Sequence, residues 1–343
     1  MEATLRDDVV VASGDARQRF HDSRGYGRAR GAEVTLARIE AAHLLYRGDL
    51  ESVDGSGFRE FFTRSVAEGK RFAARFLVYA DLRERGFYVT PDRDGWPGEG
   101  ADPLPDLTVF ARGEKPGGDV AYRIRVAGER EELPARDLAD LSLAVVDEES
   151  EVTYFDCAAG GGFEGDTEYD LPRSLDADLL EDRVVCWDPP ESLYESAFYG
   201  QPIAGRDAAV VAGLQLSLLE AADLAERGTV ALDPDAVVER GREVEGSRFD
   251  RRLTVYRRLR DRGVVPKTGY KFGADFRTYD AVESVADLPH SEALVRVVEP
   301  DHRFHPRDLA LDVRLAGGVR KRMVFALAGD DSVAYLTVAR LTP

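Results

Sequence analysis

Two stretches near the start of the chain carry apolar side chains at helical spacing. Leu36, Ile39 and Leu44 recur on one broad stripe of a segment that ends at Gly48, and glycine is the residue that most often follows the last turn of a helix. A second stripe of the same form is followed by Gly86, and it consists of Phe72, Phe76, Tyr79 and Leu82. The pattern predicts two amphipathic helices whose apolar faces pack into a core.

The helical pattern occurs twice. Segment 72–86 matches segment 249–263 at a constant offset of 177, with the phenylalanine, tyrosine, leucine and glycine all retained. Segment 36–48 matches segment 216–228 at an offset of 180. Self-similarity at a fixed period indicates a duplicated architecture. Each copy starts with a Tyr-Gly pair, at Tyr26-Gly27 and Tyr199-Gly200.

After each helical block the apolar pattern changes to short runs typical of β-strands. In the first half these runs are 107–110, 121–126, 141–146 and 152–155, and in the second half they are 276–279, 293–298, 323–328 and 333–338. A helix is predicted at 306–311, with an earlier copy at 134–140. We therefore predict an α+β tandem duplication, in which each repeat is a small helical module followed by an α/β module with a mixed sheet.

The module boundaries follow from these changes of pattern. We expect a helical module at 1–92, an α/β module at 93–157, a linker at 158–190, a second helical module at 191–264 and a second α/β module at 265–343. The linker assignment rests on a high content of Gly, Asp, Glu and Pro. Its run of three glycines is not followed by the Gly-Lys-Ser/Thr of a phosphate-binding loop.

The large negative net charge excludes fewer functions than its magnitude suggests. The 343 residues include 46 basic and 64 acidic ones, for a net charge of −18, and only five of the basic residues are lysine. Many carboxylates with few lysines are typical of proteins adapted to molar salt, where charge repulsion is screened over about 3 Å. The alternative is an ordinary acidic protein from a GC-rich genome. Under salt adaptation the acidity does not exclude a nucleic-acid partner.

Other compositional features exclude several classes of protein. Two cysteines, Cys157 and Cys186, are too few for a disulfide framework or a cysteine-rich zinc module. No apolar run approaches the length of about 18 residues that would span a membrane. The first residues, Met1 to Asp8, lack the pattern of a signal peptide, so we expect a cytoplasmic protein without membrane contact.

The residues that can do chemistry gather in the second α/β module. Lys267-Thr-Gly-Tyr-Lys-Phe-Gly-Ala-Asp-Phe-Arg-Thr-Tyr279 is followed by His290-Ser-Glu-Ala-Leu-Val and by Val319-Arg-Lys321-Arg-Met-Val-Phe-Ala. Together, in this order and at these spacings, the three segments resemble the motifs of the archaeal tRNA-splicing (tRNA-intron) endonucleases. The duplication resembles the homodimeric class of that family, in which each subunit carries two repeats, and it implies a nuclease-like α/β module.

The resemblance implies an endoribonuclease that excises introns from precursor tRNA. Such an enzyme needs a base at the ribose 2′-OH, an acid at the 5′-oxygen and a cation for the phosphoryl oxygens. By resemblance Tyr279 is the base, His290 the acid and Lys321 the stabilising cation. The products would be a 2′,3′-cyclic phosphate and a 5′-OH, with no metal or other cofactor. A free tyrosine loses its proton only near about pH 10, so nearby cations would have to assist Tyr279.

The first copy lacks these three groups. Aligning the predicted strands places Phe110 opposite Tyr279, Gly118 opposite His290, and Ala139 or a gap opposite Lys321. We therefore interpret 93–157 as a pseudo-catalytic module. One active site per chain would require two chains for two cuts.

The resemblance also implies how substrate and partner are bound. The family cuts a bulge-helix-bulge fold of precursor tRNA once in each bulge, which suits a two-fold symmetric homodimer. Arg314 resembles an arginine that stacks on a bulged base, and Arg340 is its candidate partner. The acidic segment Asp147, Glu148, Glu149, Ser150 and Glu151 resembles a loop that docks on the partner chain, with Gly329-Asp330-Asp331 as its counterpart.

Two alternatives stay open on the sequence. A non-catalytic RNA-binding or scaffolding protein would have the same repeats, although it would not need Tyr279, His290 and Lys321 together. A metal-dependent nuclease would need a carboxylate cluster at ligand spacing, and none is evident. His302 and His305 have the spacing of a metal-binding pair but lack a third ligand at suitable distance.

Overall fold

The computed structural model describes residues 1–92, 105–205, 212–329 and 332–343. The chain divides into two compact units. The first consists of Met1–Ala158, Arg303–Ala310 and Ala339–Pro343, and the second consists of Ala159–His302 and Leu311–Val338.

The first unit begins with a small sheet and three helices. The strands are β1 (Glu2–Arg6), β2 (Val9–Ala12), β3 (Arg28–Arg30), β4 (Glu33–Ala37) and β5 (Ser52–Val53), in the sheet order β3-β4-β2-β1-β5. The helices are α1 (Arg38–Tyr46), α2 (Phe58–Glu68) and α3 (Phe72–Glu84). A π-helical turn, Arg17–Asp22, lies between β2 and β3. The predicted stripe Phe72, Phe76, Tyr79 and Leu82 is buried in the core of this unit.

The α/β part of the first unit follows. Its strands are β6 (Val89–Pro91), β7 (Leu107–Phe110), β8 (Val120–Gly128), β9 (Leu133–Pro134), β10 (Leu141–Val146) and β11 (Val152–Ala159). Five of them pair in the order β11-β10-β8-β7-β6. Only the β8–β10 pairing is parallel, so the sheet is mixed.

The second unit repeats this arrangement. Its first sheet has the strands β12 (Ala177–Leu179), β13 (Arg183–Trp187), β14 (Gln201–Pro202) and β15 (Gly213–Ser217), in the order β12-β13-β15-β14. Its helices are α4 (Ser192–Glu195), α5 (Leu218–Glu226), α6 (Pro234–Glu245) and α7 (Arg248–Arg260). The Ser217 hydroxyl accepts from the N–H of Glu220, and the Glu220 carboxylate accepts from the N–H of Ser217. This reciprocal cap fixes where α5 starts.

The second α/β module carries the predicted chemistry. Its elements are β16 (Val265–Thr268), β17 (Phe276–Tyr279), β18 (Ala293–Val298), α8 (Pro306–Gly318), β20 (Arg322–Ala328) and β21 (Val333–Leu341). The short strand β19 (Arg303–Phe304) follows β18 in the chain but belongs to the first unit, where it pairs with β9. The sheet order is β16-β17-β18-β20-β21. The β18–β20 pairing is parallel and the other pairings are antiparallel. The α+β duplication and the eight predicted strands are confirmed.

Three expectations differ from the structure. The helix predicted at 134–140 is wrong, because only a single 3-10 turn, Ala135–Leu138, forms there. The helix predicted at 306–311 continues to Gly318. The interval 158–190, interpreted as a linker, contains the strands β12 and β13. The buried residues of these two strands are Ala177 and the run Val184, Val185 and Cys186, which is too short to stand out beside the glycines and prolines.

Equivalent carboxylates tie helix to sheet in both units. Asp106 accepts a 2.8 Å hydrogen bond from the N–H of Val126, and Asp275 accepts one of the same length from Val297. Each aspartate also pairs with two arginines of the preceding helix. These are Arg71 and Arg75 in the first unit and Arg248 and Arg252 in the second.

The same backbone geometry explains why glycine stands in both Tyr-Gly pairs. Gly27 and Gly200 have φ values of 58° and 63°, and a Cβ at either would lie within 2.6 Å of a backbone oxygen. Their N–H groups donate to the buried carboxylates of Glu40 and Glu220, at 2.8 and 3.0 Å. A side chain at either glycine would therefore be strained and would clash.

Candidate active site

The three residues of the predicted site lie at one edge of the second mixed sheet. Tyr279 is the last residue of β17, Lys321 immediately precedes β20, and His290 lies three residues before β18. Since β17 runs antiparallel to β18, the end of β17 lies beside the start of β18. Since β18 runs parallel to β20, both strands start at the same edge. The backbone positions of all three residues thus come together.

The hydrogen bonds at this edge fix the register. The N–H of Glu292 donates to the Thr278 carbonyl over 2.8 Å, and the N–H of Arg322 donates to the Glu292 carbonyl over 3.1 Å. Glu292 is therefore held between the residue before Tyr279 and the residue after Lys321. His290 lies two residues before Glu292, on an exposed segment.

The Lys321 ammonium is bound within this edge. Its Nζ donates a 2.6 Å hydrogen bond to the carbonyl oxygen of Ser291 and lies 5.9 Å from the centre of the Phe272 ring. Partial burial lowers the pKa of Lys321, and the guanidinium of Arg277 lowers it further, while Glu292 acts in the opposite direction. Lys321 is thus a positioned cation next to the backbone that carries His290.

Tyr279 is almost fully buried, with 5% of its surface exposed. Its ring makes an edge contact with Phe198, at 5.8 Å between centres. The guanidinium carbon of Arg277 lies 5.8 Å from the ring centre. Arg277 therefore influences both Tyr279 and Lys321, and it is a site residue that the sequence analysis did not single out. Its position two residues before Tyr279 on β17 is the only signal that the sequence offered.

A segment with many glycines lies along the same edge. The N–H of Asp166 donates to the carbonyl of Asp280, the residue after Tyr279, over 2.8 Å. Arg322, the residue after Lys321, donates to the carbonyl of Gly161 over 2.7 Å. A Cβ on Gly165 would lie 2.4 Å from the Gly263 oxygen and 2.6 Å from the Asp280 oxygen. Residues 160–167, which we name the strap, thus contact the neighbours of two of the three predicted site residues.

The strap also binds an arginine that affects the pKa of Asp280. Burial raises the pKa of Asp280, and the Arg322 guanidinium opposes this rise. Arg322 is held by Gly161. Composition predicts a linker for these glycines, because a loop that fits against backbone and a flexible loop have the same composition.

Lys267 starts the first of the three motif segments but has a structural partner. Its Nζ lies 2.6 Å from the Glu220 carboxylate and also donates to the carbonyls of Phe198 and Gly200. Burial alone would raise the pKa of Glu220, but the Lys267 ammonium and two backbone N–H donors hold it at about 2. Lys267 thus joins the helical module of the second unit to its α/β module.

The remaining predicted residues are exposed, apart from the half-buried Asp147. Arg314 lies on α8 and Arg340 lies near the end of β21, and the two belong to different units. The acidic segment forms the turn between β10 and β11, in which the Asp147 carboxylate accepts 2.9 Å hydrogen bonds from the N–H groups of Glu149 and Glu151. Glu148 pairs with Arg130. Of the expected counterpart, Asp330 and Asp331 lie outside the described residues.

The register of the first unit gives the equivalent positions there. Asp106 and Asp275 make the same contacts, so Phe110 corresponds to Tyr279, as predicted. Ile124 pairs with Leu107 as Val295 pairs with Phe276. The register shifts by one residue at Phe110, which pairs with Val120, so Val120 corresponds to Glu292. Counting back from Val120, Gly118 corresponds to His290, which is the position that the strand alignment of the sequence gave. Ser142 pairs with Ile124 as Val324 pairs with Val295, which places Ala139 opposite Lys321.

Metal sites and membrane spans are other features that the described residues could form. Within residues 1–92, 105–205, 212–329 and 332–343, no three His, Cys, Asp or Glu side chains are grouped as metal ligands would be. In the same ranges, no helix combines the length and apolar character needed to cross a membrane.

Comparison with known protein families agrees with this arrangement. A profile described as tRNA intron endonuclease, catalytic C-terminal domain, matches residues 249–335. A second, described as tRNA intron endonuclease, N-terminal domain, matches residues 1–62 and again residues 175–240. The double match coincides with the duplication of the small sheet and its helices.

Comparison with individual proteins extends over the whole chain. The chain is 54% identical to the tRNA-splicing endonuclease of Haloferax volcanii and 56% identical to that of Haloarcula marismortui, with all of both chains covered in each case. It is 37% identical to the tRNA-splicing endonuclease of Methanococcoides burtonii, over 99% of each chain. The chain therefore belongs to the tRNA intron endonuclease family.

Proposed function

We propose that this enzyme cuts each bulge of a bulge-helix-bulge motif in precursor tRNA, using the 2′-OH of the substrate as the nucleophile. The observation that carries the proposal is the shared sheet edge of Tyr279, His290 and Lys321. A tyrosine, a histidine and a lysine supply a base, an acid and a cation, which are the three groups that this reaction needs.

Each residue has a role in the bond changes. The 2′-oxygen bonds to phosphorus while its proton passes to the Tyr279 phenolate. The bond from phosphorus to the 5′-oxygen breaks, and His290 donates a proton to that leaving oxygen. Lys321 balances the charge that grows on the two phosphoryl oxygens. The products are a 2′,3′-cyclic phosphate and a 5′-OH end, and the step uses no metal ion.

The surroundings of each residue support these roles. The Arg277 guanidinium lies 5.8 Å from the centre of the Tyr279 ring, which adds a cation to the edge where charge develops. Lys321 is held by the Ser291 carbonyl, so its charge needs little reorganisation when the substrate reacts. His290 is exposed, which suits a group that must exchange its proton with water after each cut.

A homodimer would supply the two sites that two cuts require. In the first unit Phe110, Gly118 and Ala139 occupy the corresponding positions, so that module lacks the base, the acid and the cation. We propose that the acidic turn Asp147–Glu151 docks on the partner chain. Its Asp147 hydrogen bonds hold the turn in one shape, while the carboxylates of Glu149 and Glu151 stay exposed.

We further propose that Arg314 stacks on a bulged base and that Arg340 is a second RNA-binding residue. Both side chains are exposed, and a planar guanidinium stacks on nucleic-acid bases.

The experiment that tests the chemistry is cleavage of a bulge-helix-bulge RNA in molar salt with EDTA. Wild type is compared with His290→Ala and with the matched control His305→Ala, an exposed histidine of the first unit. We expect cyclic-phosphate ends from wild type and control, and a loss of about 10²- to 10⁴-fold in the cleavage rate of His290→Ala. Products with 3′-OH ends, or equal rates for all three proteins, would contradict the mechanism.

The homodimer is tested separately by sedimentation. Replacing Glu149 and Glu151 with glutamine should shift the protein toward monomer, whereas replacing Asp233 with asparagine, at the start of α6, should not. A dimer that persists in the double variant would contradict docking by the acidic turn.

A further inference from the structure

Tyr270 is the most exposed of the large apolar and aromatic side chains in the described part of the chain, with 85% of its surface accessible. It is the first residue of a 3-10 turn, Tyr270–Phe272, between β16 and β17. The next most exposed tyrosine, Tyr46, differs because its ring packs against Phe58 and Phe76. No ring contact is found for Tyr270 within the described residues.

The turn that carries Tyr270 is held by its own backbone. Gly269 donates to the carbonyl of Asp275 and accepts from the N–H groups of Phe272 and Ala274, at 2.8 to 3.2 Å. A Cβ on Gly269 would lie 2.8 Å from the Ala274 oxygen, so the turn closes tightly. A ring on such a support loses little conformational freedom when it binds a partner.

The turn also contacts the proposed active site. Phe272 points toward Lys321, whose Nζ lies 5.9 Å from the ring centre. In a 3-10 helix, residues two positions apart, such as Tyr270 and Phe272, are about 4 Å apart along the axis and point in different directions. The Tyr270 ring is therefore exposed to solvent, and its backbone lies only a few ångströms from that of Phe272, the residue that contacts Lys321.

The charge beside Tyr270 indicates the kind of partner. Lys271 is exposed next to it. A single exposed ring beside a lysine differs from the contiguous apolar patch of a protein interface. Aromatic rings beside basic groups are how proteins bind unpaired bases, because every base has a face that can stack.

We propose that the Tyr270 ring stacks on an unpaired RNA base within a few nucleotides of the cut. This contact deepens the proposed function and rests on it, since it places the substrate strand along the edge that holds Tyr279, His290 and Lys321. Stacking also weakens less with salt than phosphate contacts do, which suits a protein of this composition.

The test measures RNA affinity and cleavage separately. Affinity for a bulged RNA is measured in the His290→Ala background, with 2-aminopurine in the bulge to report stacking. Tyr270→Ala is compared with Tyr270→Phe, which keeps the ring, and with Tyr46→Ala as an exposed tyrosine elsewhere. We expect Tyr270→Ala to bind about 5- to 150-fold more weakly and to leave the 2-aminopurine fluorescence unquenched. Tyr270→Phe and Tyr46→Ala should retain both the affinity and the quenching.

The outcomes separate this inference from the proposed function. If wild type cuts the RNA while Tyr270→Ala binds and quenches as tightly as its parent, the stacking contact is wrong and the endonuclease chemistry stands. If wild type neither binds nor cuts, both fail. If Tyr270→Ala changes the sedimentation of the RNA-free protein, the ring contacts another protein chain and the inference is overturned. The melting temperature of Tyr270→Ala should match wild type, because the ring is exposed.

Discussion

The Nζ of Lys321 donates a 2.6 Å hydrogen bond to the backbone carbonyl of Ser291, the residue that follows His290. This contact joins the start of β20 to the start of β18 through a side chain as well as through the sheet. It gives the lysine one defined position beside the proposed acid, although the two residues are 31 positions apart in the chain. Because the backbone of the sheet also joins these strands, the charge of Lys321 can be removed by substitution while the fold of the sheet edge is kept.

Lys321→Met should therefore remove cleavage without removing RNA binding. Methionine fills a similar volume but supplies no charge for the phosphoryl oxygens, and a preorganised donor of this kind contributes about 10²- to 10³-fold to rate. The measurement is the single-turnover cleavage rate beside the dissociation constant for uncleaved RNA. Lys70→Met, at an exposed lysine of the first unit, is the matched control. A Lys321→Met enzyme that cuts at the wild-type rate would remove this residue from the mechanism.

Lys267→Met should destabilise the second unit. It leaves the Glu220 carboxylate buried without its ion partner, a change that costs about 3 to 5 kcal/mol. Denaturant unfolding at neutral pH measures the loss, with the exposed Lys115→Met as the control. Equal stability of Lys267→Met and wild type would mean that the ion pair contributes nothing.

The same pair predicts an acid limit of stability. The pKa of Glu220 is about 2 in the folded protein and 4.5 when unperturbed. Its stabilisation is therefore fully present above pH 4.5 and is lost as the pH falls from 4.5 toward 2. The difference in unfolding free energy between wild type and Lys267→Met should narrow over this range. A difference that stays constant would contradict the depressed pKa.

Glu40 should give the opposite pH dependence in the first unit. The register of β6 and β7 places Thr90 where Lys267 lies in the second unit, so Glu40 has no lysine partner there. Burial raises the pKa of Glu40 to about 7. Stability is thus highest below pH 4.5 and falls as the pH rises toward and past 7, by about 3 kcal/mol in total.

The measurement for Glu40 is the unfolding free energy of wild type minus that of Glu40→Gln, from pH 5 to pH 9. Glutamine does not ionise, so the difference isolates the titration of Glu40 from that of His43, whose pKa burial lowers to about 4. The difference should fall as the pH rises. A flat difference would show that Glu40 keeps one protonation state over the range.

Gly165→Ala should impair the proposed active site through the strap. The new methyl group would overlap the carbonyl oxygens of Gly263 and Asp280, so the backbone must shift at a cost of about 1 to 3 kcal/mol. Because Asp280 follows Tyr279, we expect the cleavage rate to fall more than RNA affinity does. Gly317→Ala, on α8 with open space around it, is the control and should retain both properties. Unchanged cleavage by a less stable Gly165→Ala would mean that the strap only stabilises the fold.

Much of the fold could be predicted because local pattern and global architecture agree. The apolar stripe of α3, the β-type runs and the repeat offset all report which side chains face a core, and burial in the structure follows them. The helix predicted at 134–140 failed because its short apolar pattern fits a single turn as well as a helix. The linker prediction at 158–190 differed because Gly165 is required by close backbone contact, which composition does not distinguish from flexibility.

The sequence by itself determined the duplication, the strand segments of each module and the three motif segments with Tyr279, His290 and Lys321. Periodicity and spacing depend only on the order of the residues, so they can be read directly from the sequence. Only the tertiary structure decided what surrounds those residues. The Lys321 contact with Ser291, the Lys267–Glu220 pair and the strap join positions far apart in sequence. Such contacts depend on strand register and helix packing, and no local pattern encodes them.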